Sequence, residues 1–253
     1  MYKKKSLGQH FLTSRHYVEL IADTAALKPG EWVLEIGPGE GVLTAELLAR
    51  GARVAAVEKD NRLMPVLAEK FSKELEEGRF VLIEGDVLEK SIEMAEPYKL
   101  VANIPYYITG AILEKFLSGP NQPSMMVLLV QKEVAERIAR EKKESILSLS
   151  VKAYGSPKYI KTVPAGAFSP PPSVDSAILS IENVSRKNFA DAAQEQRFFE
   201  LLHAGFAHKR KLLVRNLESV LGTDTAAAME RAGVPAKARA EDIDLARWTH
   251  LSA

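Results

Sequence analysis

The sequence predicts an α/β protein built on a doubly wound parallel sheet, with a smaller all-helical domain after it. Three observations carry this. From residue 31 to about 182, short runs rich in Val, Ile and Leu alternate with segments whose apolar residues recur at helical spacing. The runs are apolar almost throughout, not at every second position, as in parallel strands covered on both faces. From about residue 186 the strand pattern stops and helical periodicity alone continues. A boundary near 183–187 therefore divides a domain over 1–185 from one over 186–253.

Taken in order, "WVLEI" (32–36) is the first strand and "VLTAELLAR" (42–50) the first helix, closed by Gly51. "ARVAAVE" (52–58) is the second strand. "NRLMPVLAEKFSKEL" (61–75) is a helix with Pro65 near its start, because proline in a helix interior removes a hydrogen bond. "FVLIEGD" (80–86), "KLVAN" (99–103) and "MMVLLVQ" (125–131) are three more strands, with the helix "TGAILEKFL" (109–117) before the last. Helices "KEVAERIAR" (132–140) and "SILSLSVKAY" (145–154) follow. Two late strands, "KYIKTVP" (158–164) and "SVDSAILSIE" (173–182), flank a proline-rich connection. The helical domain reads as four short helices in "EQRFFELLHAGFAH", "KRKLLVRNLESVL", "TAAAMERAG" and "ARAEDIDLARWTHL".

Composition narrows the class. The 253 residues are 46% hydrophobic and 26% charged, the balance of a soluble globular protein. No apolar run approaches the roughly 20 residues of a membrane span, and "MYKKKSLGQHFL" lacks a signal-peptide core, so a cytoplasmic protein without a membrane partner is expected. With no cysteine, disulfides, thiolate zinc sites and cysteine nucleophiles are excluded. His16, His203, His208 and His250 show no metal-ligand spacing, so no metal is expected. Net charge is only +1, but Lys3, Lys4, Lys5 and Arg15 precede the first acidic residue, Glu19. Lys209, Arg210, Lys211 and Arg215 occupy a stretch free of carboxylates between Glu200 and Glu218. Two such clusters fit a polyanionic partner, and they equally fit solvated faces. If the second cluster is helical, Lys209 and Arg210 are adjacent while Lys211 and Arg215 share a face.

The first strand runs into "EIGPGEGVLT", where Gly37, Gly39 and Gly41 allow the backbone to pass close to a ligand. Their spacing is not the G-x-G-x-x-G of a dinucleotide loop, which disfavours a nicotinamide oxidoreductase, and no P-loop is present. A tight structural turn would use the same glycines. Glu58 closes the second strand at the separation where an acid meets ribose hydroxyls, and Asp86 closes the third, where it can accept from an exocyclic amine. Asp is also common at strand ends for turn reasons. In sheet order, the loop and both acids form a nucleoside site.

"EIGPGEG", Glu58, "GD" at 85–86 and "NIPY" at 103–106 resemble the adenosylmethionine-dependent methyltransferases with a Rossmann-like sheet. Adding "KKSLGQHFL", "LLVQKEVAERI", "FSPPPSVDSA" and "AHKRKLLVRNL", the chain resembles the rRNA adenine N6,N6-dimethyltransferase family over essentially its whole length. "RAGVPAKARAEDID" is similar to the ending of its small-subunit branch. The resemblance implies a mostly parallel sheet with a late antiparallel strand and S-adenosyl-L-methionine as cofactor, leaving S-adenosyl-L-homocysteine. It implies methyl transfer to the N6 of two adjacent adenines in a 3′-terminal hairpin of small-subunit rRNA during 30S biogenesis. The partner would be that rRNA or the immature 30S subunit, met by a monomer through Lys3, Lys4, Lys5 and the 209–215 cluster. His10, standing where other members have Asn, and Leu12 match positions at the methionine end of the cofactor, and Asn103 is expected among the cofactor-binding residues as well. Phe168 matches a second aromatic near the base, although an apolar core role suits it too.

In "NIPY", the Asn103 side-chain oxygen and the Ile104 carbonyl, aimed by Pro105, can hold the two hydrogens of an adenine amine. That directs a nitrogen lone pair otherwise delocalised into the ring. Tyr106 offers a flat face for an unstacked base. Tyr107 is expected to be a core wall residue. A large-subunit rRNA methyltransferase and a non-catalytic ribosome-assembly factor both remain open.

Overall fold

The computed structural model describes residues 10–253. Lys3, Lys4 and Lys5 lie outside the described residues. The strands are β1 (Phe11–Leu12), β2 (Trp32–Ile36), β3 (Arg53–Glu58), β4 (Phe80–Glu84), β5 (Tyr98–Asn103), β6 (Met125–Gln131), β7 (Ser156–Val163), β8 (Phe168–Ser169) and β9 (Ser176–Glu182). The helices are α1 (Arg15–Ala25), α2 (Val42–Ala49), α3 (Met64–Lys70), α4 (Ser72–Glu76), α5 (Thr109–Ser118), α6 (Lys132–Ala139), α7 (Ile146–Tyr154), α8 (Ala192–Phe206), α9 (Leu213–Leu221), α10 (Thr225–Arg231) and α11 (Leu245–Leu251).

Seven strands form one sheet in the order β4-β3-β2-β5-β6-β9-β7. The first five are parallel; β9 runs antiparallel to β6 and β7 antiparallel to β9. Strand order reverses beside β2, whose Ile36 sits between Val57 of β3 and Ala102 of β5. A crevice opens at such a reversal, beyond the carboxyl ends of the strands. The apolar runs are buried as their continuity requires: Leu34, Val54, Ala56, Leu100 and Val127 are all fully enclosed.

The chain divides into two compact units. One runs to Ala135 and resumes over Ser156–Val184; the other joins Glu136–Gly155 to Ser185–Ala253. The helical unit is thus larger than 186–253, because it includes α7. Tyr154, which ends α7, is buried, its ring 5.8 Å from Phe189 and its hydroxyl donating to Glu195 at 2.5 Å. Aromatic packing across distant segments, not a composition shift, places this part of the boundary.

Three local differences also have physical causes. The expected helix over 61–75 is two helices meeting at Phe71, whose ring packs edge-on to Phe80 at 5.1 Å. Helix α1 is not among the elements expected from the sequence, yet Val18, Ile21, Ala22 and Ala25 bury one face at helical spacing. The basic cluster is not one helix face. Helix α8 ends at Phe206 and α9 begins at Leu213, so Lys209, Arg210 and Lys211 occupy the turn between them. The Asn216 amide pins that turn by donating to the carbonyls of Gly205 (2.6 Å) and His208 (3.2 Å). Arg215 lies on α9 and pairs with Glu218 at 3.0 Å.

Candidate active site

The crevice at the reversal point is a cavity of about 210 Å³, walled by the carboxyl ends of β2, β3 and β5, by Gly85 and Asp86 after β4, and by His10 and Phe11. One wall is built on the glycine loop. Gly37 and Gly39 have φ of +65° and +61°, which side-chain-bearing residues rarely adopt. A Cβ on Gly37 would meet nothing within 4 Å, whereas one on Gly39 would lie 2.8 Å from the Phe11 ring. The loop is therefore open at Gly37 and closed over Gly39 by the Phe11 ring.

Glu58 holds that loop. Its carboxylate accepts the Gly39 N–H at 3.1 Å and the Asp60 N–H at 2.7 Å, and it is 5% exposed. Burial pushes its pKa up, against the pull of those N–H groups. Asp86 is set differently. It accepts from Lys59 Nζ at 2.7 Å and from the Leu88 N–H at 2.9 Å, and the Lys59 hydrogen bond holds its pKa below the ordinary value. Sequence reasoning missed Lys59; its position directly after Glu58, at the end of a strand, was the available signal. Behind the loop Glu35 is fully enclosed, accepting from the Thr44 hydroxyl at 2.6 Å, and burial pushes its carboxyl up to about 8.

The opposite wall starts where β5 ends. Asn103 donates its side-chain N–H to the His10 carbonyl at 3.1 Å. That bond engages the nitrogen end of the amide and leaves Oδ1 as the acceptor end. Pro105 precedes a short 3-10 turn, Tyr106–Ile108, which carries both tyrosines. The Tyr106 hydroxyl lies 2.6 Å from Ser176 Oγ, and its ring lies 6.2 Å from that of His10, 18° from parallel. His10 in turn reaches the Pro170 carbonyl through Nδ1 at 2.9 Å. Tyr107 lines the cavity with 66% of its surface exposed, so it is not the core wall residue expected. The 3-10 turn directs the two neighbouring tyrosines differently, and Tyr106 is the more buried one.

Two expected residues turn their side chains elsewhere. Strand β1 pairs with β8, Phe11 facing Ser169 and Leu12 facing Phe168. Side chains alternate along a strand, and directly opposed residues share a face. Phe11 therefore faces the cavity, while Leu12 (6% exposed) and Phe168 (4%) join the apolar core. Leu12, which the family resemblance implies at the cofactor mouth, turns its side chain into the core, and Phe168 lies with it there.

His10, Gly37, Gly39, Glu58, Asp86 and Asn103 thus converge on one cavity, together with Ile104, Pro105 and Tyr106. A buried carboxylate beside a loop with open space at Gly37 suits a nucleoside carrying hydroxyls, and the Asn103 oxygen suits an amine. Among the described residues no cluster of His, Cys, Asp or Glu could hold a metal ion, and no helix is long and apolar enough to cross a membrane. Lys209, Arg210, Lys211 and Arg215 belong to the helical unit.

Comparison with known proteins agrees with this geometry. A family model described as ribosomal RNA adenine dimethylase matches residues 1–253. The chain is 42% identical over 256 residues to the ribosomal RNA small subunit methyltransferase A of Dehalococcoides mccartyi strain 195, covering 98% of this chain and 87% of the relative. It is 39% identical to the protein of the same name from Caulobacter vibrioides, covering 98% and 96%. Among solved structures it is similar to the 23S rRNA methyltransferase ErmE, with TM-score 0.78 and 29% identity over 96% and 98% of the two chains. It is also similar to a dimethyladenosine transferase from Plasmodium falciparum, with TM-score 0.80 and 25% identity over 96% of each.

Proposed function

This chain belongs to the ribosomal RNA adenine dimethylase family, and from that premise we propose that its targets are two adjacent adenines in the 3′-terminal hairpin of small-subunit rRNA, dimethylated at N6 on the immature 30S subunit in the cytoplasm. That it is an adenosylmethionine-dependent rRNA methyltransferase follows from the family. The small-subunit assignment is supported by relatives of that name at about 40% identity over nearly the whole chain, against 29% for the 23S enzyme.

Bound adenosylmethionine would supply an electrophilic methyl carbon on its sulfonium. Glu58, Asp86, His10 and the backbone at Gly37 and Gly39 are the residues that would hold it. The remaining chemistry is this chain's own. The Asn103 oxygen and the Ile104 carbonyl accept hydrogen bonds from the amine N–H groups, aiming the nitrogen lone pair out of conjugation. Tyr106 supports the flipped base, an interaction worth about 1–3 kcal/mol in comparable stacking. No side chain has to remove a proton first, because methylation itself acidifies the N–H. The catalysis is positioning and electrostatics in an enclosed site. The turn at Lys209, Arg210 and Lys211, with Arg215 and the N-terminal lysines, binds RNA phosphates.

One observation carries this reading: the Asn103 amide is turned by the His10 carbonyl so that its oxygen is the acceptor end. Mass spectrometry of rRNA from cells lacking the protein tests it. Dimethyladenosine should be missing from the small-subunit rRNA; its loss from large-subunit rRNA instead would overturn the assignment.

A further inference from the structure

We propose that Ser176 is a positioning residue for methyl transfer, acting through the hydroxyl of Tyr106. The inference rests on the reading that Tyr106 supports the target base. Ser176 opens β9 and is fully buried, between Gln131 of β6 and Val163 of β7. An enclosed strand position beside Ala177 and Ile178 is one that an aliphatic side chain fills without penalty, whereas a hydroxyl there needs a hydrogen-bond partner. The partner is Tyr106, at 2.6 Å, 70 residues earlier in the chain.

The geometry gives this bond a mechanical meaning. A tyrosine ring turns about the axis from Cβ to its hydroxyl. The backbone of the 3-10 turn holds one end of that axis and Ser176 holds the other. Rotation about the axis is limited by the neighbouring His10 ring, 18° from parallel. His10 is fixed in turn by the Pro170 carbonyl, and its own carbonyl holds the Asn103 amide. The ring plane against which a base would lie, and the oxygen that would take its amine hydrogen, are thereby set by one connected group. Ser176 touches neither base nor cofactor. Its contribution is the direction of the Tyr106 axis, so its loss should appear in the transfer rate and not in cofactor affinity.

A double-mutant cycle on the full chain tests this, with Ser176→Ala, Tyr106→Phe and both together. Single-turnover methyl transfer to unmethylated 30S particles is measured at saturating cofactor. Each rate is normalised to cofactor-binding sites titrated by calorimetry, so that unfolded protein does not count. Each single variant should lose about three- to ten-fold in rate, the range of one neutral hydrogen bond. The double variant should lose no more than the worse single, and adenosylmethionine affinity should stay within about two-fold. Losses that multiply in the double variant, or an unchanged rate in Ser176→Ala, would overturn the proposal. Wild-type protein that leaves 30S adenines unmethylated would overturn the functional reading and this inference with it, before any variant is made.

Discussion

The two walls of the cavity are built on different length scales. On the wall formed by the glycine loop, Glu58 and Asp86, the hydrogen bonds link residues close in sequence. Asp60 to Glu58 and Leu88 to Asp86 each span 2 positions, Gly39 to Glu58 spans 19, and Lys59 to Asp86 spans 27. On the wall of Asn103 and Tyr106 the corresponding spans are 93 to His10 and 70 to Ser176, with 160 from His10 to Pro170. The residues proposed to hold the cofactor are thus bonded over short spans, His10 excepted. Orienting an amine for attack draws on residues distant in sequence, His10 just before β1 and Ser176 at the start of β9, which bond to Asn103 and Tyr106.

The largest expected effect separates the walls most sharply. Asn103→Ala should lower methyl transfer by about 10²–10³, the cost of removing a transition-state hydrogen bond, while adenosylmethionine affinity by calorimetry stays within a few-fold. A matching collapse of cofactor affinity would mean the walls are not separate. Glu58→Ala should act in the opposite sense, weakening cofactor binding by about ten- to a hundred-fold through hydrogen bonds to a charged group. Its rate at saturating cofactor should change far less. Unchanged affinity would remove Glu58 from the cofactor wall.

The helical unit supplies a smaller test. Replacing Lys209, Arg210 and Lys211 by Ala should weaken RNA binding at low salt. For every phosphate no longer neutralised by one of these side chains, the slope of log affinity against log salt should flatten by about 0.7–0.9. Cofactor affinity should not move, because the cavity lies in the other unit. Affinity and slope equal to wild type would make this turn a solvated one.

The smallest effect concerns Glu35, which backs the cofactor wall. Burial raises its carboxyl from the ordinary 4.5 to about 8, so the folded state favours the neutral form. The associated stability is fully present below the unfolded value and is lost as pH rises through about 8. Glu35→Gln keeps a neutral acceptor for Thr44 and should melt several degrees higher than wild type near pH ~9. The gap should close near pH ~5. A gap of equal size at both values would show that Glu35 is not titrating in its buried state.

The same difference of scale explains what could be read from the sequence. The parallel strands, the glycine loop, Glu58, Asp86 and the Asn103–Tyr106 motif were legible because each has a local chemical reason to be there. The phase of β1 was not. A two-residue strand carries no periodicity, and only its pairing with β8 decides that Phe11 and not Leu12 faces the cavity. The burial of Phe168 follows from the same pairing, which sets it opposite Leu12. The exposure of Tyr107 depends on how the 3-10 turn is held. The break before α9, which moves three basic residues onto a turn, depends on Asn216 bonding to carbonyls 8 and 11 residues away.

Whether the methyl acceptors are small-subunit adenines is decided by reconstitution. Purified protein is incubated with methyl-labelled adenosylmethionine and, separately, with 30S particles lacking dimethyladenosine, with 50S particles and with naked 23S rRNA. The labelled nucleosides are then identified and mapped. The expected product is N6,N6-dimethyladenosine at two adjacent positions in the 3′-terminal hairpin of the 30S rRNA, with no label in the other two substrates. Label confined to 23S rRNA, or a methyl group on any atom other than adenine N6, would contradict it.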